Sequence, residues 1–242
     1  MKDLGVLITD VAKFGAHGLS VGSRSKQQAG WILRTFETRE PLPQLTLFKA
    51  LVVPISEYCC QLWSPVAVGK IQELEAVQRS FTSKMDGMSD LNYWERLKAL
   101  KLYSLERRRE RYIVIYVWKI IQGIVPNIDV EPDNVTTTNH IRLGRKCRIP
   151  PFPRQASAAL KTRIDGSFAV HGPQLFNAIP KEIRNCDGTV LQFKGLLDKF
   201  LSRIPDQPST PHYQQAAAGN SILDHLRQMR GMGPANRGGV ST

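Results

Sequence analysis

Two short stretches concentrate the residues with the most evident chemistry. Glu106 to Arg111 reads ERRRER. From Asn134 to Ile164 there is no Asp or Glu, while Arg142, Arg145, Lys146, Arg148, Arg154, Lys161 and Arg163 all fall inside. A guanidinium offers a planar fork of donors that fits phosphate oxygens, and a lysine adds a compact point charge. Such groups fix a protein on a nucleic-acid backbone and carry no base information themselves. By charge alone Arg142, Arg145, Lys146 and Arg148 are the foremost candidates for phosphate contact, the alternative being a basic, solvated loop. For Arg107, Arg108 and Arg111 two readings stand open: phosphate contact, or a solvated helix face laced by ion pairs three and four residues apart.

Other chemistry finds few residues to carry it. Phosphoryl transfer by two metal ions needs clustered carboxylates. The chain has no Asp-Asp, and Asp3 and Asp10 are too far apart along one strand to share a metal pair. Cys59, Cys60, Cys147 and Cys186 have no Cys or His at zinc-site spacing and read as reduced thiols. There is no phosphate-binding G-x-x-x-x-G-K-S/T loop, nucleophile elbow or His-Glu-x-x-His. His17 reads as an ordinary core or surface histidine. No catalytic residue, metal site or cofactor is expected.

The whole chain is basic. Its 242 residues hold 33 Lys plus Arg against 21 Asp plus Glu, a formal charge of +12. That balance attracts polyanions, either nucleic acid or an anionic membrane. The longest apolar run, Tyr112 to Ile121, contains Lys119 and is well short of the roughly 20 residues a membrane span needs. Met1 is followed by Lys2 and Asp3 rather than by a long apolar stretch, so no signal peptide is expected. The expected partner is therefore nucleic acid rather than membrane, in the nucleus or cytoplasm. The sequon Asn134-Val135-Thr136 should then go unused.

The elements that must position these residues are mostly helical. Lys2 to Asp10 reads as one strand. Ser25 to Glu37 reads as a helix with Ala29, Ile32, Leu33 and Phe36 inward, and Gly15, Gly18 and Gly22 loosen the segment before it. After the linker Glu40–Pro43, Leu45, Phe48, Leu51, Val52, Ile55, Tyr58, Cys59 and Leu62 recur at helical steps. Pro54 should kink that helix, and Trp63-Ser64-Pro65 should stop it. Ile71, Leu74, Val77, Phe81 and Met85 form a second stripe, which must pack antiparallel on the first. A turn at Met85–Asp90 leads to a short helix from Asn92, then a break at Lys101–Tyr103. Ser104 is placed to cap a helix running to Gln122, with Gly123 as its C-cap and Pro126 beyond. Asn127–Asn139 reads as a boundary. Pro150, Pro151 and Pro153 favour short strands or extended arms. The tail from Asp206 reads as mostly disordered, apart from a helix at Ile222–Met229. The expected divisions are 1–40, 41–126, 127–139, 140–204 and 205–242.

Several of these stretches together resemble a known family. Leu47–Val52, Pro54–Tyr58, Trp63–Pro65 and Val77–Thr82 follow, in order and spacing, the thumb of reverse transcriptases from non-LTR (LINE-type, jockey-like) retrotransposons. Lys2–Val6 is similar to the K-Y/D-L-G-V strand at that family's palm–thumb junction. Tyr93, Arg96, Leu97, Leu100, Leu102, Ser104 and Leu105 match a further signature. Ser167-Phe168, Phe176–Pro180 and Phe193–Leu201 resemble its tail, with Phe176 and Ile179 in place of the usual Trp and Leu. The resemblance spans roughly Lys2 to Leu201. It implies a mainly α fold: a helical thumb-type bundle with one N-terminal residual palm strand and a mixed, small C-terminal region. It implies a truncated part of an RNA-directed DNA polymerase, without the palm carboxylates, that contacts RNA or an RNA–DNA hybrid through backbone phosphates and has no polymerase activity alone. The family usually carries arginines where Arg107, Arg108 and Arg111 stand. The alternative expectation is an inactive remnant or a helical protein–protein scaffold.

Overall fold

The computed structural model describes residues 1–8, 14–65, 67–126, 130–132, 144–151, 153, 157–211 and 219–229. The fold is mainly α, with helices throughout and one two-stranded sheet among the described residues. No helix among them is long and apolar enough to cross a membrane. The chain forms two units, residues 1–109 with 206–220 and residues 110–205 with 221–242. The division therefore falls between Arg109 and Glu110 rather than in the expected boundary at 127–139, where only Val130, Glu131 and Pro132 are described.

The first unit opens differently from the expected single strand. β1 (Lys2–Asp3) and β2 (Val6–Leu7) pair antiparallel as a hairpin. Leu4 and Gly5 turn it, both at positive φ (41° and 86°), as a two-residue hairpin turn requires. Helix α1 (Gly15–Thr35) begins ten residues before the expected Ser25 and includes the glycines thought to loosen that segment. A Cβ on Gly22 would lie 3.7 Å from Leu74, an ordinary contact, and one on Gly15 or Gly18 would meet nothing within 4 Å, so packing does not require glycine at any of the three. His17 is buried, accepts the Leu7 N–H at 3.2 Å on Nδ1 and meets Trp63 edge-on, so it is a core histidine. Burial, and then the Arg24 charge, lowers its pKa.

The expected helix at 45–62 is three pieces: α2 (Pro41–Leu51), α3 (Val53–Glu57) and α4 (Cys60–Trp63). Pro54 cannot donate to the preceding turn, and Cys59 takes a left-handed conformation at φ 52°. These breaks rotate the inward face. Leu45, Phe48, Val52, Cys60 and Trp63 are buried, while Leu51, Tyr58 and Leu62, expected inward, are exposed. The stripe on α5 (Val68–Thr82) is as expected, with Ile71, Leu74, Val77, Phe81 and the following Met85 all buried. Phe48 stacks on Phe81 at 4.7 Å. The two join one core with Ala29 and Ile32 of α1 and with Tyr93, Leu97, Leu100 and Leu102 of α6 (Tyr93–Ala99) and its exit. Asn92 and Glu95 form a capping box at the start of α6.

Ser104 caps α7 (Leu105–Ile121) as expected, its Oγ accepting the Arg107 N–H at 3.0 Å. At the other end Gly123, at φ 68°, closes the helix, and the Ile124 N–H returns to the Lys119 carbonyl at 2.9 Å. From Glu110 onward α7 belongs to the second unit, where Ile113, Val114, Ile115, Val117, Trp118 and Ile120 are all buried. The other helices of this unit are α8 (Ala158–Asp165), α9 (Phe168–Ala178), α10 (Lys181–Arg184), α11 (Val190–Leu201) and α12 (Ile222–Met229). Trp118 stacks on Phe193 at 4.7 Å, and Phe176, Ile179, Leu197 and Leu201 are buried. The helix α8 stands where extended arms were expected. Ser157 caps it, and none of its residues is buried.

The tail departs from expectation in one part. Asp206 accepts the Ser104 N–H and Oγ–H, each at 2.7 Å, and the Asn220 Nδ2–H at 2.8 Å. The described residues of 206–220 are thus bonded into the first unit. The expected helix at Ile222–Met229 is present, its first N–H donating to Glu110 Oε2 at 2.8 Å. Residues 212–218 and 230–242 lie outside the described residues.

Candidate nucleic-acid interface

In the second unit the segment Gly144–Arg148 is fastened by its backbone. The Arg145 N–H donates to Asn185 Oδ1 at 2.8 Å, and the Arg145 carbonyl accepts from Arg184 Nη1. Cys147 exchanges two hydrogen bonds with the Asn177 amide, at 2.8 and 2.7 Å, much as a neighbouring strand would. The Arg148 N–H donates to the Glu131 carbonyl at 2.8 Å, beside an isolated bridge between Pro132 and Cys147. Gly144 begins the segment at φ 71°, where a Cβ would come within 2.9 Å of Lys181 Cβ. No larger residue fits there without displacement.

With the backbone fixed in this way, the cationic side chains differ in exposure: Arg148 is exposed, while Arg145 and Lys146 are half-buried. Arg145 pairs with Asp187, whose side chain is largely exposed. Lys146 is half-buried and makes no ion pair among the described residues. Arg148 is exposed and meets Glu131 at 3.3 Å, both side chains being about two-thirds accessible (66% and 73%). The exposed Lys181 joins them through the close approach at Gly144. Lys161 and Arg163 lie on the exposed surface of α8. Arg142 and Arg154, with the sequon at Asn134–Thr136, lie outside the described residues. Asn177 falls within the Phe176–Pro180 element of the resemblance, but with no role attached to it, and Lys181 and Asn185 were not singled out from sequence. An asparagine near a helix end, well after a basic run, gives no local sign that it holds that run.

The ERRRER stretch is built otherwise. Arg107 is fully buried and donates Nη2 to the Asn220 carbonyl at 3.1 Å. Arg108 pairs with Glu57 at 2.6 Å. Arg109, also buried, donates Nε to Ser64 Oγ at 3.3 Å. In the second unit Arg111 forms a two-pronged pair with Asp198 at 2.5 and 2.7 Å. Of the three arginines expected to face phosphate or solvent here, Arg107 is an interior residue, and Arg108 and Arg111 are committed to carboxylates.

Glu75 is the centre of the first unit's buried polar network. It accepts the Tyr93 hydroxyl and the Glu106 N–H, each at 2.7 Å. Burial pushes its carboxyl up to about 7, against the opposing pull of Arg109 and of these two hydrogen bonds. Gln78 donates to the Tyr93 hydroxyl and to the Tyr103 carbonyl. Among the described residues no group of three or more His, Cys, Asp and Glu is arranged to hold a metal ion. No protein-family model, curated protein or solved structure matches the chain.

Proposed function

We propose that the chain is the nucleic-acid-binding part of a reverse transcriptase of the non-LTR retrotransposon type, and that it holds RNA or an RNA–DNA hybrid through backbone phosphates. The observation that carries this reading is the segment Gly144–Arg148. Its backbone is spent on protein partners, which leaves the Arg148 side chain exposed and those of Arg145 and Lys146 half-buried beside it. Their present partners, Asp187 and Glu131, are exposed, and surface pairs of this kind are worth at most about 1 kcal/mol. A phosphate can replace them at little expense. Charge supports the same unit: it carries 17 Lys and Arg against 9 Asp and Glu, and the first unit 16 against 12. The order and spacing of the thumb-like elements between Leu47 and Thr82 add the class of enzyme. The reading assigns no chemical step to this chain's residues, since it lacks an Asp-Asp pair.

The test is fluorescence anisotropy with a labelled RNA–DNA hybrid at several salt concentrations. Each neutralised phosphate contributes about −0.9 to the log–log salt slope on duplex DNA. Changing Arg142, Arg145, Lys146 and Arg148 together to Gln is expected to weaken binding and flatten the slope by up to about 3–4 units. A variant that keeps both affinity and slope makes the segment a solvated loop and ends the proposal.

A further inference from the structure

Two carboxylates meet at the start of α7. Asp206 accepts the Ser104 N–H at 2.7 Å, and Glu75 accepts the Glu106 N–H, two residues further on, also at 2.7 Å. The backbone N–H groups of a first helical turn and the helix dipole draw negative charge to that place. Two like charges there oppose each other, and the more deeply buried group is the one that holds its proton. That group is Glu75, fully buried on α5 and also accepting the Tyr93 hydroxyl at 2.7 Å. The charged and titratable groups set around it are Tyr93 from α6, Glu106 and Arg109 from α7, and Asp206.

Asp206 is half-buried and heads the returning segment 206–220. The described residues of that segment are attached by hydrogen bonds. Trp94 Nε1–H donates to the Pro208 carbonyl at 2.9 Å, Gln72 Nε2–H to Ser209 Oγ at 2.7 Å and Arg107 Nη2–H to the Asn220 carbonyl at 3.1 Å. Within the segment the Gln207 N–H closes on Asn220 Oδ1 at 2.7 Å. Among its described residues Pro208, Thr210 and Asn220 are buried, and none carries a large apolar side chain. A part of a fold held in this way is the part released most readily. We propose that the proton on Glu75 is a latch for this segment: with Glu75 neutral Asp206 stays on Ser104, and with Glu75 ionised the two charges repel and the segment lifts from the start of α7. Burial first, and the Asp206 charge with it, push the Glu75 carboxyl up to about 7, against Arg109 and the Tyr93 and Glu106 hydrogen bonds. Because Asp206 raises that value, attachment of the segment is favoured while Glu75 holds its proton and weakens as pH rises through about 7. Thr210 and Pro211 form one wall of a cavity of about 550 Å³, which Arg79, Asn92 and Arg96 also line. Release of the segment opens that cavity.

Amide hydrogen exchange of the full chain, read at single residues and corrected for its intrinsic pH dependence, tests this. The Gln207 amide is expected to lose protection about tenfold or more between about pH 5 and pH 8. Low concentrations of urea should hardly alter that exchange, because lifting so short a segment exposes little surface. The Leu102 amide, bonded to the Leu97 carbonyl, should respond to urea more steeply. Glu75→Gln, neutral and still able to accept, should keep the Gln207 amide protected at both pH values. Asp206→Asn should lower the pH at which the Glu75 carboxyl titrates, followed by carbon-13 NMR, by about 0.5 or more. Equal urea sensitivity at Gln207 and Leu102 means that the unit opens as a whole and overturns the proposal. So does an undiminished pH dependence in Glu75→Gln, or a Glu75 midpoint that Asp206→Asn leaves where it was. The Asp206→Asn measurement decides the matter even where Glu75→Gln fails to fold.

Discussion

Glu106–Arg111 and Gly144–Arg148 have nearly the same chemistry on paper and opposite uses in the fold. In the first, helix geometry sends neighbouring side chains around the axis, so Arg107 and Arg109 enter the interior while Arg108 meets Glu57. In the second, the backbone supplies the attachments through Asn177, Asn185, Arg184 and Glu131, and the cationic side chains are exposed at Arg148 and half-buried at Arg145 and Lys146. Arginines are spent as structure in one region and kept available in the other. A count of charges along the sequence cannot separate the two, because what differs is which atoms of the chain do the fastening.

That contrast can be broken most directly at Arg109. Arg109 is buried, donates Nε to Ser64 Oγ and acts on the buried Glu75 through its charge. Arg109→Ala removes that interior side chain and is expected to lose about 2–5 kcal/mol in urea unfolding. A loss under about 1 kcal/mol would make the inward arginine no more structural than an outward one. Next comes Glu75 itself. Its carboxyl is raised from 4.5 to about 7 in the folded state. Between those values the folded chain keeps a proton that the unfolded chain releases. Stability therefore falls as pH rises through this window and levels off above it, by up to about 3 kcal/mol. Urea midpoints at pH 5 and pH 8 should show this slope, and Glu75→Gln should remove that share of it. The smallest effect belongs to the outward side. Arg148→Ala is expected to change stability by less than about 0.5 kcal/mol and to reduce the salt slope of nucleic-acid binding by about one unit. A larger loss of stability would erase the distinction between the two stretches.

Much of the helical framework was legible. The stripe from Ile71 to Met85, the Ser104 cap and the Gly123 stop are local signals, and local physics decides them. What failed was non-local. The phase of the helix after Pro41 depends on breaks at Val52 and Cys59, and each break rotates every later residue. Tyr58 and Leu62 consequently face out, and Ser56 is buried in their stead. The glycines of α1 read as weak points by propensity, yet the helix runs through them because Val21, Ser25, Ala29 and Ile32 on the same helix are buried. Of the candidate interface, the charges were legible and their fastening was not, since Asn177 and Asn185 lie 30 and 40 residues from their partners. The return of Asp206 to Ser104, 102 residues apart, left no trace in composition, because one well-placed carboxylate is statistically invisible.

That return also orders events in time. The first unit cannot be finished until residues 206–220 have been made, although its other residues end at Arg109. At a synthesis rate of roughly 5–20 residues per second, the Ser104 backbone N–H waits about 5–20 s for the carboxylate that will bind it. Meanwhile Arg107 has no Asn220 carbonyl to receive it. Contacts this distant in the chain also slow folding, through the entropy of closing so long a loop. The nascent first unit spends that interval with a polar cleft open at the start of α7, and its last step is the arrival of a strap encoded a hundred codons downstream.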